Sequence, residues 1–360
     1  MLNNVKILDL TRVLAGPLCT MTLGDLGAQV IKVERPGMGD DTRAWGPPFD
    51  DRGESAYYLS INRNKKSIAL DLNISADCDL IRSLANEADV IVDNFKPGTL
   101  ESRGIEPELI LEQNPRGIWC TITGFGESNP RVGYDLVVQA ECGWMSITGE
   151  PDGDPMKVGV ALADIIAGKD ATIAILAALA GRDSLSDRER RIHISLASSA
   201  TAALINVGQN SLVTGRDAKR WGNQHPNLVP YQLFHAADRA MIVAVGNDSQ
   251  WKACARALEL SDLFSDDSLA TNAGRLSRRE QIVAAIAGKL RERKADEWIS
   301  ILDGAGVPCG VVKTVLEALQ SVSASPLTGI APSVPGTVRL PPPRLDEHGE
   351  EIRKRGWSIF

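Results

Sequence analysis

Asp164 stands at the start of the most regular helical pattern in the chain, and its carboxylate is the first candidate for chemistry. In residues 164–180 (DIIAGKDATIAILAALA), apolar residues recur at three- and four-residue spacing, which predicts a helix that ends at Gly181. Residues 158–162 have a strand-like or extended pattern, so Asp164 is predicted at or near the N-cap. A carboxylate there usually accepts backbone N–H bonds for structural reasons, but open α/β sheets also bind ligands at strand ends. The position therefore leaves a structural and a nucleophilic role open.

Polar and cationic residues stand at the ends of other predicted strands, most of them after the strand and the NRNKKS cluster just before one. Arg35 ends the segment VIKVER, where a dinucleotide fold reads a ribose, and an arginine there suits the phosphate-bearing ribose of CoA or NADP. Asn62 and Lys65 lie in NRNKKS, and Lys65 could bind a phosphate as a point charge. Asn94 and Phe95 follow the next strand, in VDNFKPG. Each cluster alone is typical of a solvated loop, and only their shared placement at strand ends indicates a binding site.

The common catalytic and cofactor motifs are missing from the sequence. The first strand leads into TRVLAGP rather than GxGxxG, and there is no GxSxG, HExxH or P-loop. The six cysteines form no CxxC pair, and the four histidines do not cluster with them. We therefore expect reduced, mostly buried thiols, no metal site and structural roles for His225 and His235.

Composition bounds the class of protein. The chain has 360 residues, of which 43% are hydrophobic and 24% charged, which is long enough for a large core and two domains. Its net charge of −7 argues against non-specific nucleic-acid binding. The first residues lack the pattern of a signal peptide, and the longest apolar window, 171–180, is shorter than a membrane span. We expect a soluble, cytoplasmic protein.

The elements that must position these residues alternate between strands and helices. In the first third this alternation predicts a parallel sheet with helices on its faces. A second strand–helix pattern begins near Met241, and the proline-rich end of the chain could wrap back over the first domain. The predicted strands are 5–10, 28–33, 67–72, 90–92 and 117–122, and the predicted helices are 16–26, 75–88, 107–113, 164–180, 249–259, 278–289 and 295–303.

The residues around these candidates resemble one family in many blocks. The resemblance begins with VKILDLTRVLAGPLCTMTLGDLGAQVIKVERPGMGDDTR and continues through NRNKKSIALDL, DVIVDNFKPGTLESRGI, GYDLVVQAECGWMSITGEPDGDPMKVGVALADIIAG, HPNLVPYQLFHAAD, VAVGNDSQW and GVPCGVV to PPPRLDEHGEE. These blocks stand in family order across nearly the whole chain, which is more specific than a single motif. The chain resembles the family III CoA-transferases, which include formyl-CoA and carnitine CoA-transferases and are related to α-methylacyl-CoA racemases.

The resemblance implies an α/β fold in an interlaced homodimer, in which each chain threads through its partner. A large Rossmann-like domain with a parallel sheet would span residues 1–200 and be completed by residues 325–360. Residues 201–225 would form a linker, and residues 226–324 a smaller α/β domain.

The resemblance also implies a mechanism and a site. Asp164 matches the catalytic aspartate, which would attack an acyl-CoA thioester and carry first the acyl group and then CoA. Acyl-CoA and a small carboxylic acid would be the substrates, with no tightly bound cofactor and no nucleic-acid or membrane partner. Arg103 is carried over although it stands one place displaced from the expected arginine. The residues expected to bind CoA are Val13, Leu14, Ala15, Arg35, Asn62, Lys65, Asn94, Phe95, Arg103 and Tyr134.

Departures from the family pattern leave the specificity open. Formyl-CoA transferases have a glutamine where this chain has Leu14, and a glycine-rich loop where it has VGNDSQ (245–250), so a formyl or oxalate substrate is not indicated. The related racemases have a histidine where this chain has Tyr134, and tyrosine, with an unperturbed pKa of about 10, is a poor base near neutral pH. Racemisation of a 2-methylacyl-CoA and non-catalytic CoA binding are the alternatives, and the two acids are not predicted.

Overall fold

A computed structural model describes residues 1–322, 324–325 and 329–360 of the chain. It divides into two compact units, the first formed by Met1–Met145, Lys157–Ala218 and Val322–Phe360 and the second by Ser146–Met156 and Lys219–Ser321. Of the predicted small domain 226–324 and C-terminal segment 325–360, residues 323 and 326–328 lie outside the described residues.

The first unit is built on a six-stranded sheet in which all neighbouring strands are parallel. The strand order is β3-β2-β1-β4-β5-β6, so the order reverses between β1 and β4, where open α/β sheets bind their ligands. The prediction of a parallel sheet is confirmed. The strands are β1 (Lys6–Asp9), β2 (Gln29–Glu34), β3 (Lys66–Ala69), β4 (Val90–Asp93), β5 (Ile118–Thr123) and β6 (Arg191–Ser195).

Helices cover both faces of this sheet, because alternate residues of its buried strands are apolar on each side. One face packs against α1 and α7, and the other packs against α3 and α4. Short 3₁₀ turns occupy Asp41–Ala44, Glu101–Arg103 and Arg182–Ser184. The helices are α1 (Ala15–Asp25), α2 (Ala56–Ser60), α3 (Ser75–Glu87), α4 (Pro107–Gln113), α5 (Asp135–Glu141), α6 (Trp144–Ile147), α7 (Leu162–Gly181), α8 (Leu196–Ala202) and α9 (Ile205–Thr214).

The contact between α1 and α7 is made by very small residues. A Cβ atom on Gly168 would lie 2.6 Å from the carbonyl oxygen of Ala15, so only glycine allows the two helices to come this close. Ala163, Ala167 and Ala171 on the same helix are fully buried. This packing brings the first turn of α7, with Asp164, against the loop between β1 and α1.

Helix α9 lies within the segment 201–225, for which sequence analysis predicted only a linker. The glycine, asparagine and proline residues that follow it indicated irregular chain, and they masked the helix. None of the α9 residues is buried in the monomer, and Ile205, Leu212 and Val213 are strongly exposed.

The second unit contains a three-stranded sheet in the order β7-β8-β9, which is antiparallel throughout. The two strands are antiparallel because a short turn at residues 236–239 joins β7 directly to β8. The sequence pattern from Met241 onward did not predict this direction, because it begins after that turn. Helices pack against the sheet around the buried Trp251 and Trp298. The elements are β7 (Tyr231–His235), β8 (Ala240–Ala244), α10 (Asp248–Ala257), α11 (Ser261–Phe264), a 3₁₀ turn (Asp267–Leu269), α12 (Asn272–Ser277), α13 (Arg279–Leu290), α14 (Ala295–Gly304), β9 (Cys309–Val311) and α15 (Val315–Leu319).

The C-terminal segment returns to the first unit and completes the core on the α3 side of its sheet. It contains β10 (Ala324–Ser325), β11 (Gly329–Ile330), α16 (Gly349–Arg355) and a 3₁₀ turn (Gly356–Ile359). The indole N–H of Trp357 donates to the carbonyl oxygen of Leu84 at 3.0 Å, and Ile352 is fully buried beside it.

Two further properties of the chain bear on its class. No helix in the described part of the chain is both long and apolar enough to span a membrane. All six cysteines are free thiols, four of them buried and two half-buried.

Candidate active site

Asp164 is the third residue of α7, and only 8% of its surface is exposed. It lies in the first turn of the helix, whose N-cap is Ala161, and Ala161 gives no side-chain hydrogen bond. Residues 158–161 form no strand and Leu162 already belongs to α7, so of the strand or extended chain expected at 158–162 the strand is wrong. The reason is that the backbone N–H of Val158 donates to the side chain of Gln139, at 2.9 Å, rather than to a neighbouring strand.

The free N–H groups at the start of α7 are bound by a carboxylate from another helix. Asp135, the first residue of α5, accepts the backbone N–H of Ala163 at 2.8 Å and that of Asp164 at 3.4 Å through Oδ1. Its Oδ2 accepts the side-chain N–H of Gln139 at 2.7 Å. Asp135 therefore has the capping role that a sequence pattern would assign to Asp164 itself.

No residue in the described part of the chain compensates the charge of the Asp164 carboxylate. Burial, together with the negative charge of Asp135, raises its pKa from 3.8 to about 7, and no cation or hydrogen-bond donor among the described residues offsets these effects. The negative charge of Asp164 also acts on Tyr57 of α2. Burial and the charges of Asp164, Asp135 and Asp40 raise the pKa of Tyr57 to about 12. A buried, unpaired carboxylate of raised basicity is a good nucleophile for an acyl group.

The loop from β1 to α1 is held in an unusual conformation beside Asp164. Val13 has φ +73°, which is costly for a β-branched residue, and its N–H donates to Asp40 Oδ1 at 3.2 Å. The amide of Asn94 accepts the N–H of Arg12 at 3.0 Å and donates to its carbonyl oxygen at 2.7 Å. Leu14 is the N-cap of α1 and gives no side-chain bond, so the first N–H groups of α1 stay available for a ligand.

The turn with Asn94 and Phe95 is fixed by a second buried carboxylate at the end of β4. Asp93 accepts the backbone N–H of Phe95 at 3.0 Å, the indole N–H of Trp119 at 2.7 Å and the hydroxyl of Thr121 at 2.7 Å. Two of these bonds attach Asp93 to β5, and the third fixes the turn, whose Asn94 holds Arg12.

A cavity of about 120 Å³ brings seven of the predicted site residues together at the carboxyl ends of β1, β4 and β5. Its wall also includes the cations Arg12, Lys96 and Arg131. The seven predicted residues that line it are Val13, Leu14, Ala15, Asn94, Phe95, Tyr134 and Asp164.

A second cavity, of about 230 Å³, contains two further predicted residues, Arg35 and Arg103. Arg12 and Phe95 line both cavities, so the two lie side by side along the strand ends. Arg35 is half-exposed and pairs with Asp41, which also accepts from Arg12 at 3.1 Å. Neither cavity has a histidine in its lining.

Asn62 and Lys65 line neither cavity. Both are fully buried, and the Lys65 ammonium donates to Asp9 Oδ2 at 2.9 Å, to the carbonyl oxygen of Pro17 at 2.9 Å and to Asn62 Oδ1 at 3.0 Å. The structure therefore places these two predicted residues below the β1–α1 loop, with their polar groups bound to the protein.

Sequence reasoning did not select Asp135, Tyr57, Arg12, Lys96 or Arg131. Three of them had a usable signal: Arg12 adjoins Val13, Lys96 adjoins Phe95, and Asp135 begins a helical segment, which is typical of a residue with a capping role. Tyr57 lies in a segment without any motif, and only the fold brings it near Asp164.

Comparison with known proteins gives a consistent result. The sequence profile described as CoA-transferase family III matches residues 2–330. A mouse (Mus musculus) protein named succinyl-CoA:glutarate CoA-transferase is 40% identical over 98% of this chain and 86% of its own. An Agrobacterium fabrum protein named succinate–glutarate CoA-transferase is 36% identical over 98% of this chain and 94% of its own. The crystal structure of a CAIB/BAIF family protein from Brucella suis has a TM-score of 0.85 and 37% identity, with 98% of each chain covered.

Proposed function

Because the chain belongs to CoA-transferase family III, we propose that it moves CoA from an acyl-CoA donor to a carboxylic acid with Asp164 as the covalent carrier. The observation that carries this proposal is the state of the Asp164 carboxylate. It is buried and unpaired, and it lines the cavity in which the predicted CoA-binding residues meet.

The proposed reaction begins when a carboxylate oxygen of Asp164 attacks the carbonyl carbon of the acyl-CoA thioester. A C–O bond forms, the C–S bond breaks, and the electron pair leaves on the CoA sulfur, which gives a mixed anhydride and a thiolate. The thiolate then attacks the Asp164 carbonyl carbon, so that the donor acid leaves as a carboxylate and CoA is held as a thioester. The acceptor carboxylate then attacks the aspartyl-CoA thioester, which gives a second mixed anhydride and releases the CoA thiolate. The thiolate attacks the acceptor's carbonyl carbon, so that the new acyl-CoA leaves and the Asp164 carboxylate is restored.

Each tetrahedral centre in this reaction carries a negatively charged oxygen that needs a donor. The first N–H groups of α1 have no side-chain cap, and Leu14 and Ala15 line the same cavity as Asp164. Backbone N–H groups at a helix N-terminus stabilise such charge, and they need no movement during the reaction.

The second cavity is the proposed place for the nucleotide part of CoA. Arg35 and Arg103 offer guanidinium groups to phosphates, and Arg12 and Phe95 connect this cavity to the one with Asp164. Direct CoA contacts by Asn62 and Lys65 stay a prediction, and their burial favours a role in holding the β1–α1 loop instead.

The two acids are proposed to be small dicarboxylates. Two of the similar proteins carry names with succinyl-CoA or succinate and glutarate as substrates. In this chain, Arg12, Lys96 and Arg131 surround the cavity that contains Asp164, and such cations could pair with a second carboxylate that does not react.

The protein is further proposed to act as an interlaced homodimer. Large apolar side chains on α7 and α9 are exposed in the monomer, with Ile173 at 65%, Ile205 at 71% and Leu212 at 80% exposure. A second copy that buried them would remove a patch that isolated proteins rarely expose. Light scattering at assay concentration should give a dimer mass, and a monomer mass would contradict the proposed dimer.

A cytoplasmic location and the lack of a tightly bound cofactor also stay predictions.

A substrate panel tests the function. Wild-type protein should transfer CoA between pairs of small acids, with succinyl-CoA and C4–C5 dicarboxylic acids among the best, and the Asp164→Ala variant should lose at least about 10³-fold in rate. Transfer that survives in the variant would contradict the carrier role. Deuterium wash-in at the α-carbon of a 2-methylacyl-CoA, without any transfer, would support racemisation instead.

A further inference from the structure

Asp135 takes the place at the start of α7 where an anion is best stabilised. α7 has 20 residues, and its first free N–H groups point to Asp135 Oδ1, at 2.8 Å from Ala163 N and 3.4 Å from Asp164 N. A helix N-terminus would ordinarily stabilise a carboxylate in its own first turn. Here the stabilisation goes to Asp135, and the Asp164 carboxylate in the same turn is left without it.

The Asp135 carboxylate is itself held on both sides. Gln139, one turn later on α5, donates to Asp135 Oδ2 at 2.7 Å and accepts the N–H of Val158 at 2.9 Å. Gln139 is fully buried. The orientation of Asp135 towards the end of α7 is therefore fixed by the fold rather than by a flexible side chain.

We infer that Asp135 is a positioning residue that keeps the Asp164 carboxylate basic and unpaired, and so drives its acylation. The inference rests on the proposed function, because it concerns the step in which Asp164 attacks a thioester. In that step the C–O bond forms, the C–S bond breaks, and the negative charge moves from Asp164 to the CoA sulfur. The repulsion between the charges of Asp164 and Asp135 ends when Asp164 becomes part of the neutral mixed anhydride.

Other groups that face Asp164 do not replace this effect. The raised pKa of Asp164 has two causes, burial and the charge of Asp135, and none of the cations along the cavity lowers it. Tyr57 is neutral in the pH range of interest, because its own pKa is raised to about 12. The titratable and charged groups that face Asp164 from the elements around it are Asp135 and Tyr134 at the start of α5, Tyr57 on α2, and Arg12, Lys96 and Arg131 along the cavity.

The Asp135→Asn exchange separates the charge of Asp135 from its role as the cap of α7. Its amide oxygen can still accept the Ala163 N–H, and asparagine is as good a helix cap as aspartate, so α7 should keep its start. The Gln139 oxygen stays on the Val158 N–H, so the exchange gives up the bond from Gln139 Nε2 to residue 135 while it keeps the cap of α7. With the charge removed, the acid limb of the pH–rate profile should move to lower pH by about half a unit or more. The acylation rate measured at pH 8 in a single turnover should fall about twofold or more, because a less basic carboxylate is a weaker nucleophile.

Two control variants distinguish an effect of the Asp135 charge on Asp164 from a purely structural role of Asp135. Asp135→Ala removes both the cap and the charge, and it should also lower Tm. Asp170→Asn removes a charge from the same helix at a residue that bonds to Ser199, at 2.6 Å, and the acid limb should not move. If Asp135→Asn leaves the acid limb and the acylation rate at their wild-type values, the inference is overturned.

A second readout does not depend on activity. The gain in Tm caused by Asp164→Asn is measured from pH 5 to pH 9 in wild type and in the Asp135→Asn background, at one protein concentration. A smaller gain in the Asp135→Asn background supports the inference, and equal gains at every pH overturn it. Absence of CoA transfer in the wild-type panel would count against the proposed function alone, since this thermal comparison would still decide whether Asp135 acts on Asp164.

Discussion

Two buried carboxylates of the first unit, Asp9 and Asp164, differ in what surrounds them. Asp9, at the end of β1, is fully buried and accepts from Lys65 at 2.9 Å, from Thr20 at 2.7 Å and from the backbone N–H of Thr11 at 2.9 Å. Burial alone would raise its pKa, but Lys65, Lys32 and these hydrogen bonds hold the pKa of Asp9 well below its ordinary value. Asp164 is almost as buried and has none of these partners.

The number of hydrogen-bond donors around a buried carboxylate distinguishes a structural role, as for Asp9, from a catalytic role, as for Asp164. A carboxylate with a full set of donors is stable as an anion and has no lone pair to offer a thioester. A carboxylate that is buried without donors gains free energy whenever it loses its charge, by protonation or by acylation. Burial alone therefore does not indicate a catalytic residue, whereas burial without compensation does.

Removal of the Asp9 partner should have the largest effect on stability. Lys65→Met removes the cation that is hydrogen-bonded to Asp9 and leaves only the charge of Lys32 to offset its burial, which should cost about 3–5 kcal/mol of unfolding free energy. Urea unfolding at pH 7 measures this cost. The control is Lys354→Met, because Lys354 pairs with Glu350 on the surface and should contribute less than about 1 kcal/mol. Equal effects of the two exchanges would contradict a tight buried pair.

The same kind of change at Asp164 should have the opposite sign. Its folded pKa of about 7 lies above the ordinary value of 3.8, so the folded protein holds a proton that the unfolded chain has released between these values. The contribution of Asp164 to wild-type stability should therefore fall as pH rises from about 4 to about 7. Asp164→Asn should lack this fall, and should be more stable than wild type by roughly 2–4 kcal/mol at pH 8.

Urea unfolding of both proteins from pH 4 to pH 9 checks this sign. The advantage of the variant should be close to zero near pH 4 and should grow until about pH 7. A variant that is less stable than wild type at pH 8 would show that Asp164 is a compensated carboxylate like Asp9.

The packing that brings Asp164 to the β1–α1 loop can be disturbed without a change in charge. Gly168→Ala would place a carbon 2.6 Å from the carbonyl oxygen of Ala15, so α7 must move away from α1, at a cost of about 1–3 kcal/mol and with loss of transfer activity. Gly288→Ala in α13 is the matched control, because nothing lies within 4 Å of the added carbon. It should be neutral or slightly stabilising in thermal unfolding.

The smallest expected effect is the pH dependence of the rate, which only Asp164 of the two carboxylates can produce near neutrality. The attacking form is the anion, so single-turnover acylation should fall about tenfold between pH 8 and pH 6, with an apparent pKa near 7. A rate that stays level down to pH 5 would mean that Asp164 is ionised there, as Asp9 is.

Five of the six strands of the parallel sheet were predicted because they are short apolar runs between turn residues, as in 28–33 and 117–122. β6 (Arg191–Ser195) was missed, because polar residues alternate along it and it is only half-buried. The start of α7 was harder to predict. Periodicity located the helix, but no local pattern shows that its cap comes from Asp135, 29 residues away from Asp164. Capping rules consider neighbours along the chain, and here the capping group lies on another helix.

The site was predicted in part for the same reason. Residues at strand ends, such as Asn94, Phe95 and Arg35, line the cavities because the carboxyl ends of parallel strands meet at one edge of the sheet. Asn62 and Lys65 come before β3 rather than after it, and they lie below the β1–α1 loop. Their direction depends on Asp9, a partner that spacing alone could not reveal.

The most direct test of the account is covalent trapping on Asp164. Wild-type protein is incubated with the acyl-CoA that works best as donor and then quenched with hydroxylamine or borohydride, and its peptides are analysed by mass spectrometry. The account predicts modification at Asp164, dependent on acyl-CoA and absent from the Asp164→Asn variant. A modification at another residue, or active transfer with Asp164 unmodified, would contradict it.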